Sequence, residues 1–310
     1  MNLSVVICSY NPKPVTLNKV LDALKLQTLD KSMWELIIVD NCSTPPLVNV
    51  IDLSWHPRAK IIVEGRTGLS HARIAGVKNS ITELIVFADD DNVLAPDYLE
   101  KSYGFYQSYP QVGCYGGRSL PVFETQPPGW FKQTGINLGC QDYGPELYIS
   151  DYTAINYRVG SYPEKAPIGT GMVIQKKAFL GYLEEAAIDP ERMKLGRSGK
   201  SLSSGEDNDI ILSIIKNRFE IAYVPELVVH HLISSNRYSE SYLARMAFES
   251  NRTWVKVLQM HGLNPHKRIA PLTYLPRKWR SYFRHRAWRS SLSAIQWKSS
   301  CGTFKGLSEI

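Results

Sequence analysis

Three consecutive carboxylates, Asp89-Asp90-Asp91, follow the apolar stretch Leu84-Ile85-Val86-Phe87-Ala88 and precede Asn92. At the end of a buried strand they repel one another, and burying them is costly unless a cation sits among them. Hard oxygen donors at that density suit Mg²⁺ or Mn²⁺ rather than zinc. An ion held by one or two carboxylates, with phosphate oxygens in its other positions, is a common way to bind a nucleoside diphosphate. The plainer alternative is a solvated acidic turn that caps the next helix. A second acidic group, Gly205-Glu206-Asp207-Asn208-Asp209, opens a segment with Ile210, Ile211, Ile214 and Ile215 at helical spacing. Helix capping is the plain alternative there too.

The elements that must position these residues are legible as apolar runs. Leu3–Cys8, Trp34–Val39, Ala59–Val63, Leu84–Ala88 and Val112–Tyr115 read as strands. Helical spacing follows Pro14 (Leu17, Val20, Leu21, Leu24) and covers Leu69–Asn79 and Asp97–Gln107. Strands alternating with helices predict a mainly parallel α/β sheet, with ligands bound at the carboxyl ends of its strands, where Asp40 and the Asp89–Asp91 run fall. Residues 119–165 read as irregular loops. Regular structure resumes with a strand at Gly171–Ile174, a helix at Lys177–Ala186, a helix at Gly205–Lys216, and strands Glu220–Val224 and Glu226–His231 separated by Pro225.

The 310 residues suit one large domain with or without an appendage, and 44% apolar content is ordinary for a globular core. No apolar run approaches the roughly 18 residues of a membrane span, and Met1-Asn2-Leu3-Ser4 lacks the pattern of a signal peptide. A cytoplasmic location is expected. Five scattered cysteines without a CxxC indicate neither a disulfide framework nor a zinc site. The net charge of +7 is uneven. From His261 onward stand ten Lys/Arg and one acid, Glu309, which leaves 26 basic against 28 acidic residues before it. The tail therefore points to an anionic partner surface.

Five motifs in order resemble a family 2 glycosyltransferase: Val5-Val6-Ile7-Cys8-Ser9-Tyr10-Asn11, Ile37-Ile38-Val39-Asp40-Asn41-Cys42-Ser43, Gly68-Leu69-Ser70-His71-Ala72-Arg73, Phe87-Ala88-Asp89-Asp90-Asp91 and Gly205-Glu206-Asp207. The resemblance covers roughly residues 3–231. It implies a GT-A fold, a Rossmann-like and mainly parallel sheet flanked by helices, that takes nucleotide-diphosphate sugars and inverts the anomeric centre. Residues 1–231 would form the transferase domain, with 1–118 as the nucleotide-sugar half and 119–231 as the acceptor half. Residues 232–310 would form a helical, basic extension.

The resemblance places Ser9, Tyr10, Asn11 and Asp40 around the base and ribose; a turn held by Asn11 and a strand-end aspartate is the alternative. Arg66, Gly68 and Arg73 come next, with a phosphate or base contact for Arg73, and an ion pair as the alternative. Asp91 is implied as the direct ligand of Mn²⁺ or Mg²⁺, with Asp89 on the ribose or a metal-bound water and Asp90 able to exchange roles with either. Asp89 and Asp91 face the same side if the strand continues. Asp207 is implied as the base that takes the acceptor's proton, with Glu206 orienting the acceptor or a loop. Of His230 and His231, adjacent on a strand, one should reach the metal, and His230 is preferred. The resemblance puts Gly169 and Thr170 under the donor sugar or acceptor. Trp130 and Tyr143, by residue type, are candidates to stack on sugar rings, with local core packing as the alternative.

The expected partners are a nucleotide-diphosphate sugar, UDP by family habit, and a glycan or lipid-linked glycan acceptor. Residues 267–298, rich in Arg and Trp, suggest contact with an anionic membrane surface. An oligomer contact is the alternative, and nucleic acid is not expected. The expected setting is polysaccharide, exopolysaccharide or O-antigen assembly at the inner face of the cytoplasmic membrane. A sugar nucleotidyltransferase would need a glycine-rich triphosphate loop where this chain has Ser9-Tyr10-Asn11-Pro12. A non-catalytic binding protein would not need Asp89, Asp91 and Asp207 intact.

Overall fold

A computed structural model describes residues 2–150, 159–199 and 201–310. Strands β1 (Leu3–Ser9), β2 (Trp34–Asp40) and β4 (Leu84–Asp89) are buried along almost their whole length. Strands apolar on both faces belong at the centre of a sheet covered on both sides. β1 pairs in parallel with both neighbours, setting Ser9 opposite Asp40 and Cys8 opposite Asp89. That register brings the carboxyl ends of three strands to one edge. β3 (Ala59–Val63) extends the parallel half beyond β2.

The second half adds β5 (Asn92–Leu94), β6 (Val112–Phe123), β7 (Tyr148–Ser150), β8 (Val173–Gln175) and β9 (Glu220–Ile233). The order is β3-β2-β1-β4-β8-β6-β9-β5, with β7 beside β9. β8 runs antiparallel to β4 and β6, whereas β6 and β9 are parallel. The sheet is thus parallel from β3 through β2 and β1 to β4, and mixed beyond it. The reason is local: residues 168–170 line the cleft at the carboxyl edge of β4, so the chain enters β8 from that edge and must run the other way.

Two expectations change. Residues 119–165 are not wholly irregular, since β6 continues to Phe123 and β7 falls within them; residues 151–158 of that stretch lie outside the described residues. The two strands expected around Pro225 are one, β9. Its ladder to β6 slips between Gly116 and Arg118, at the level of Pro225, which has no N–H to donate.

Alternation along the central strands divides two cores. Val5, Ile7, Leu36 and Ile38 face helices α1 (Pro14–Lys25) and α3 (Tyr98–Ser108). Val6, Ile37 and Val39 face α2 (Leu69–Asn79), α4 (Lys176–Ile188) and α5 (Glu206–Lys216). A Cβ on Gly76 of α2 would come within 2.3 Å of Val6, so glycine lets that helix lie close on β1.

Helices α6 (Glu240–Met260), α7 (Tyr274–His285) and α8 (Ser291–Glu309) follow. A third cluster, including Phe131, Leu138, Ile233, Leu243 and Ile295, joins α6 and α8 to the loop after β6. Among the described residues no helix is long and apolar enough to cross a membrane.

Candidate active site

The carboxyl edge of the parallel half opens into a cleft of about 630 Å³. Five carboxylates line it: Asp89, Asp90, Asp91, Glu206 and Asp207. Arg73, Arg197, His231 and Arg237 supply the facing cations. β4 ends at Asp89, and β5 starts at Asn92. The strand therefore does not continue through the run, and its three carboxylates turn three ways instead of sharing a side.

Asp89 faces Arg73, with Nη2 3.6 Å from Oδ1. Asp90 Oδ2 accepts the Ser9 hydroxyl at 2.6 Å. Asp91 Oδ2 accepts from Arg237 Nη1 at 2.8 Å and lies 3.3 Å from His231 Nε2. Burial pushes Asp90 up to about 7, with the Asp91 charge adding to it and the Ser9 hydrogen bond opposing it. Burial also raises Asp89, against the pull of Arg73. For Asp91 the effect of burial is outweighed by the His231 hydrogen bond and the charges of His231 and Arg237, which hold it below the usual carboxylate range. Burial alone would lower His231; its hydrogen bonds to Asp91 and Cys140 raise it to about 9.

Arg73 is buried across the floor. Its Nη1 lies 3.6 Å from Glu206 Oε2, and its Nη2 donates to the Gly169 carbonyl at 3.3 Å. The guanidinium is the counter-charge between Asp89 and Glu206, and it lines the cleft. Neither oxygen of Glu206 accepts a hydrogen bond. Burial therefore pushes its carboxyl up to about 7 despite Arg73. Asp207, next in the first turn of α5, points the other way, and its Oδ2 accepts the Gly169 N–H at 3.1 Å. A Cβ on Gly169 would sit 2.9 Å from Arg73 Nη2. Thr170, Gly68, Ser9 and Tyr10 also line the cleft.

Several expected residues do not reach it. Asp40 is buried with both oxygens committed to the next loop, accepting from the Ser43 N–H at 2.9 Å and the Leu47 N–H at 2.8 Å. Asn11 accepts from the Thr44 N–H at 2.7 Å and so braces the same loop. Arg66 folds back on Glu64 in a two-point pair at 2.9 and 3.0 Å. Trp130 packs into the third apolar cluster, and Tyr143 lies edge-on to Tyr223, 5.3 Å between ring centroids. His230 corrects the preference between the two histidines. It is exposed on the outer face of β9, whereas buried His231 turns inward opposite Asn92.

Three further residues enter the site. Arg237 comes from the short turn after β9, and Arg197 from the Gly/Ser-rich approach to α5. Asn41 accepts the Gly68 N–H at 2.7 Å and donates to the carbonyls of Glu64 and Arg66, fixing the cleft wall. No local pattern marks Arg237. The run Gly196-Arg197-Ser198-Gly199 before the second acidic motif was the available signal for Arg197.

The donor set suits a hard divalent ion. Asp91 and His231 converge, and carboxylates outnumber cations around them. No preformed group of three His, Cys, Asp or Glu ligands exists among the described residues. An ion held here takes its remaining positions from substrate oxygens and water, as Mg²⁺ and Mn²⁺ commonly do.

A mixed α/β sheet with these carboxylates at its carboxyl edge is a GT-A fold. The crystal structure of GalNAc-T7 with UDP, GalNAc and Mn²⁺ superposes with a TM-score of 0.55 at 15% identity, covering 100% of this chain and 56% of that one. The sequence model of glycosyl transferase family 2 matches residues 4–181, more than half of the chain, and the protein belongs to that family. It is 26% identical to an uncharacterized glycosyltransferase of Haemophilus influenzae, over 69% of this chain and 62% of that protein. It is also 26% identical to the O-antigen chain rhamnosyltransferase RfbN of Salmonella typhimurium, over 80% of this chain and 70% of the relative. The chain thus spans less than two thirds of the Haemophilus protein's length.

Proposed function

We propose that this protein is an inverting, metal-assisted glycosyltransferase. It moves a hexose-type sugar from a nucleoside-diphosphate donor, UDP first among the candidates, to a hydroxyl of a glycan or lipid-linked glycan in surface polysaccharide assembly. The observation that carries the reading is that Asp207 and the Asp89–Asp91 run, from distant parts of the chain, line one cleft. In-line attack breaks the bond from the anomeric carbon to the diphosphate oxygen, and the electron pair leaves with the diphosphate. Asp207 takes the proton of the attacking hydroxyl. The Gly169 N–H holds one oxygen of that carboxylate in place. Asp91 and His231, with Asp89 behind them, would hold Mn²⁺ or Mg²⁺. The chemistry supplied by such an ion would be neutralisation of the charge developing on the diphosphate. The UDP and Mn²⁺ of GalNAc-T7 support this donor and ion, and the name of RfbN supports the glycan setting.

Melting the protein with UDP, GDP or dTDP, each with Mn²⁺, Mg²⁺ or chelator, tests the site. One nucleotide should raise the melting temperature, and chelator should abolish the shift. A nucleotide shift equal with and without metal would reject the metal-diphosphate arrangement.

A further inference from the structure

Helix α7 carries a face that is left exposed among the described residues. Leu275, Trp279 and Phe283 recur every fourth residue and so share one side. They are 59%, 55% and 63% exposed, with Leu272 just before the helix at 91% and Trp288 just after it at 56%. The other side anchors the helix. Ser281 is buried, the Tyr282 ring lies 5.1 Å from Trp297 of α8, and Trp297 Nε1 donates to the Lys278 carbonyl at 3.1 Å.

Six cations stand on the helix or just after it: Arg277, Lys278, Arg280, Arg284, Arg286 and Arg289. Among the described residues none of these six forms an ion pair, and the tail's only acid, Glu309, is taken up by Arg252 and Lys256 of α6 at 2.8 and 2.9 Å. The occupant of this face must therefore offer apolar depth and negative charge together. A second copy of the chain brings the depth but sets these cations against themselves. An anionic phospholipid surface supplies both, and a basic helix with Trp and Phe on its apolar face lies in such an interface.

The location fits a delivery role. A cavity of about 470 Å³ beside α7 is lined by its Tyr274 and Lys278, by Lys298 and Cys301 of α8, and by Ser201 and Leu202, which also line the main cleft.

We infer that α7 docks the protein on anionic phospholipid, with the Leu275–Trp279–Phe283 stripe in the acyl boundary and the flanking arginines on the headgroups. Docking brings the cavity between α6, α7 and α8, and through it the cleft, to the lipid surface. This deepens the transferase reading by naming a membrane-held acceptor, but the docking itself is independent of catalysis.

The test is flotation of the full chain with phosphatidylcholine vesicles, with and without phosphatidylglycerol. Binding should require phosphatidylglycerol and weaken as salt rises. Trp279→Ala with Phe283→Ala should weaken it by roughly tenfold per ring. Arg280→Glu with Arg284→Glu should weaken it by roughly fivefold or more per charge. Both double variants should keep the parent's melting temperature and its nucleotide response. Three results would overturn docking: no flotation, equal flotation with neutral vesicles, or self-association in solution that the aromatic substitutions abolish while flotation is absent. Flotation intact in a protein with no nucleotide response would uphold docking and count against the transferase reading instead.

Discussion

The acidic cleft and helix α7 handle charge in opposite ways. In the cleft, Asp89, buried Arg73 and buried Glu206 alternate in charge, and Asp91 is held between Arg237 and His231. Each group there is costly to leave without its neighbour. On α7 the arginines and the aromatic rings stand in solvent, and their removal leaves nothing unpaired behind. Buried charge of this kind fixes a geometry, whereas exposed charge beside exposed rings is available to a partner. Arginine is thus locked between carboxylates in one region and left open to solvent in the other.

Substitutions in the two regions should separate accordingly. The largest effect is expected at Asp207. Asp207→Asn should lower transfer by about a hundred- to ten-thousandfold while leaving nucleotide binding nearly intact, read by product formation and titration calorimetry. Joint loss of both would remove its assignment as the base. Arg73→Met leaves the buried Glu206, and Asp89 at the cleft wall, without their cation. Denaturant unfolding should show a loss of about 3–5 kcal/mol. A loss no larger than that at an exposed α7 position would erase the contrast drawn here.

Glu206 sharpens the contrast through pH. Its folded value, about 7, lies above its ordinary 4.5, so the folded state holds the proton more tightly. Its stabilising contribution is complete below about pH 4.5 and is lost as pH rises through about 7. Glu206→Gln should flatten that part of the stability–pH profile, by on the order of 3 kcal/mol at full extent. An unchanged slope in calorimetric melts would show that Glu206 does not titrate there. The smallest effect belongs to α7: Trp279→Ala should change stability by no more than about 0.5 kcal/mol. A larger loss would mean that the ring is packed in solution, by self-association or otherwise.

Much of this was legible in the sequence, for identifiable reasons. The continuous apolar runs of β1, β2 and β4 could only be central strands, and polar residues at their ends had to reach the sheet edge. Asp89–Asp91 and Asp207 were accessible to the same reasoning, because each begins or ends a regular element. Asp40, Asn11 and Arg66 sit in the right segments, yet their side chains serve the loop around them. Their partners are backbone N–H groups at Ser43, Leu47 and Thr44 and the Glu64 carboxylate. Trp130 likewise satisfies the apolar cluster shared with the C-terminal helices.

The sequence by itself determined the order of the elements, the placing of two acidic motifs at element ends, and the separation of a near-neutral body from a basic tail. Those properties follow from local periodicity and composition. Only the tertiary structure decided that His231 and not His230 faces the cleft, that Arg73 lies between two carboxylates, and that Arg237 and Arg197 complete the site. The histidine choice depends on strand parity, and the irregular ladder at Pro225 breaks the alternation by which parity could be counted from the start of β9. The antiparallel register with β5 then fixes which residue turns inward. Arg73 and Arg237 depend on contacts between segments far apart in the chain, and local spacing carries no record of those.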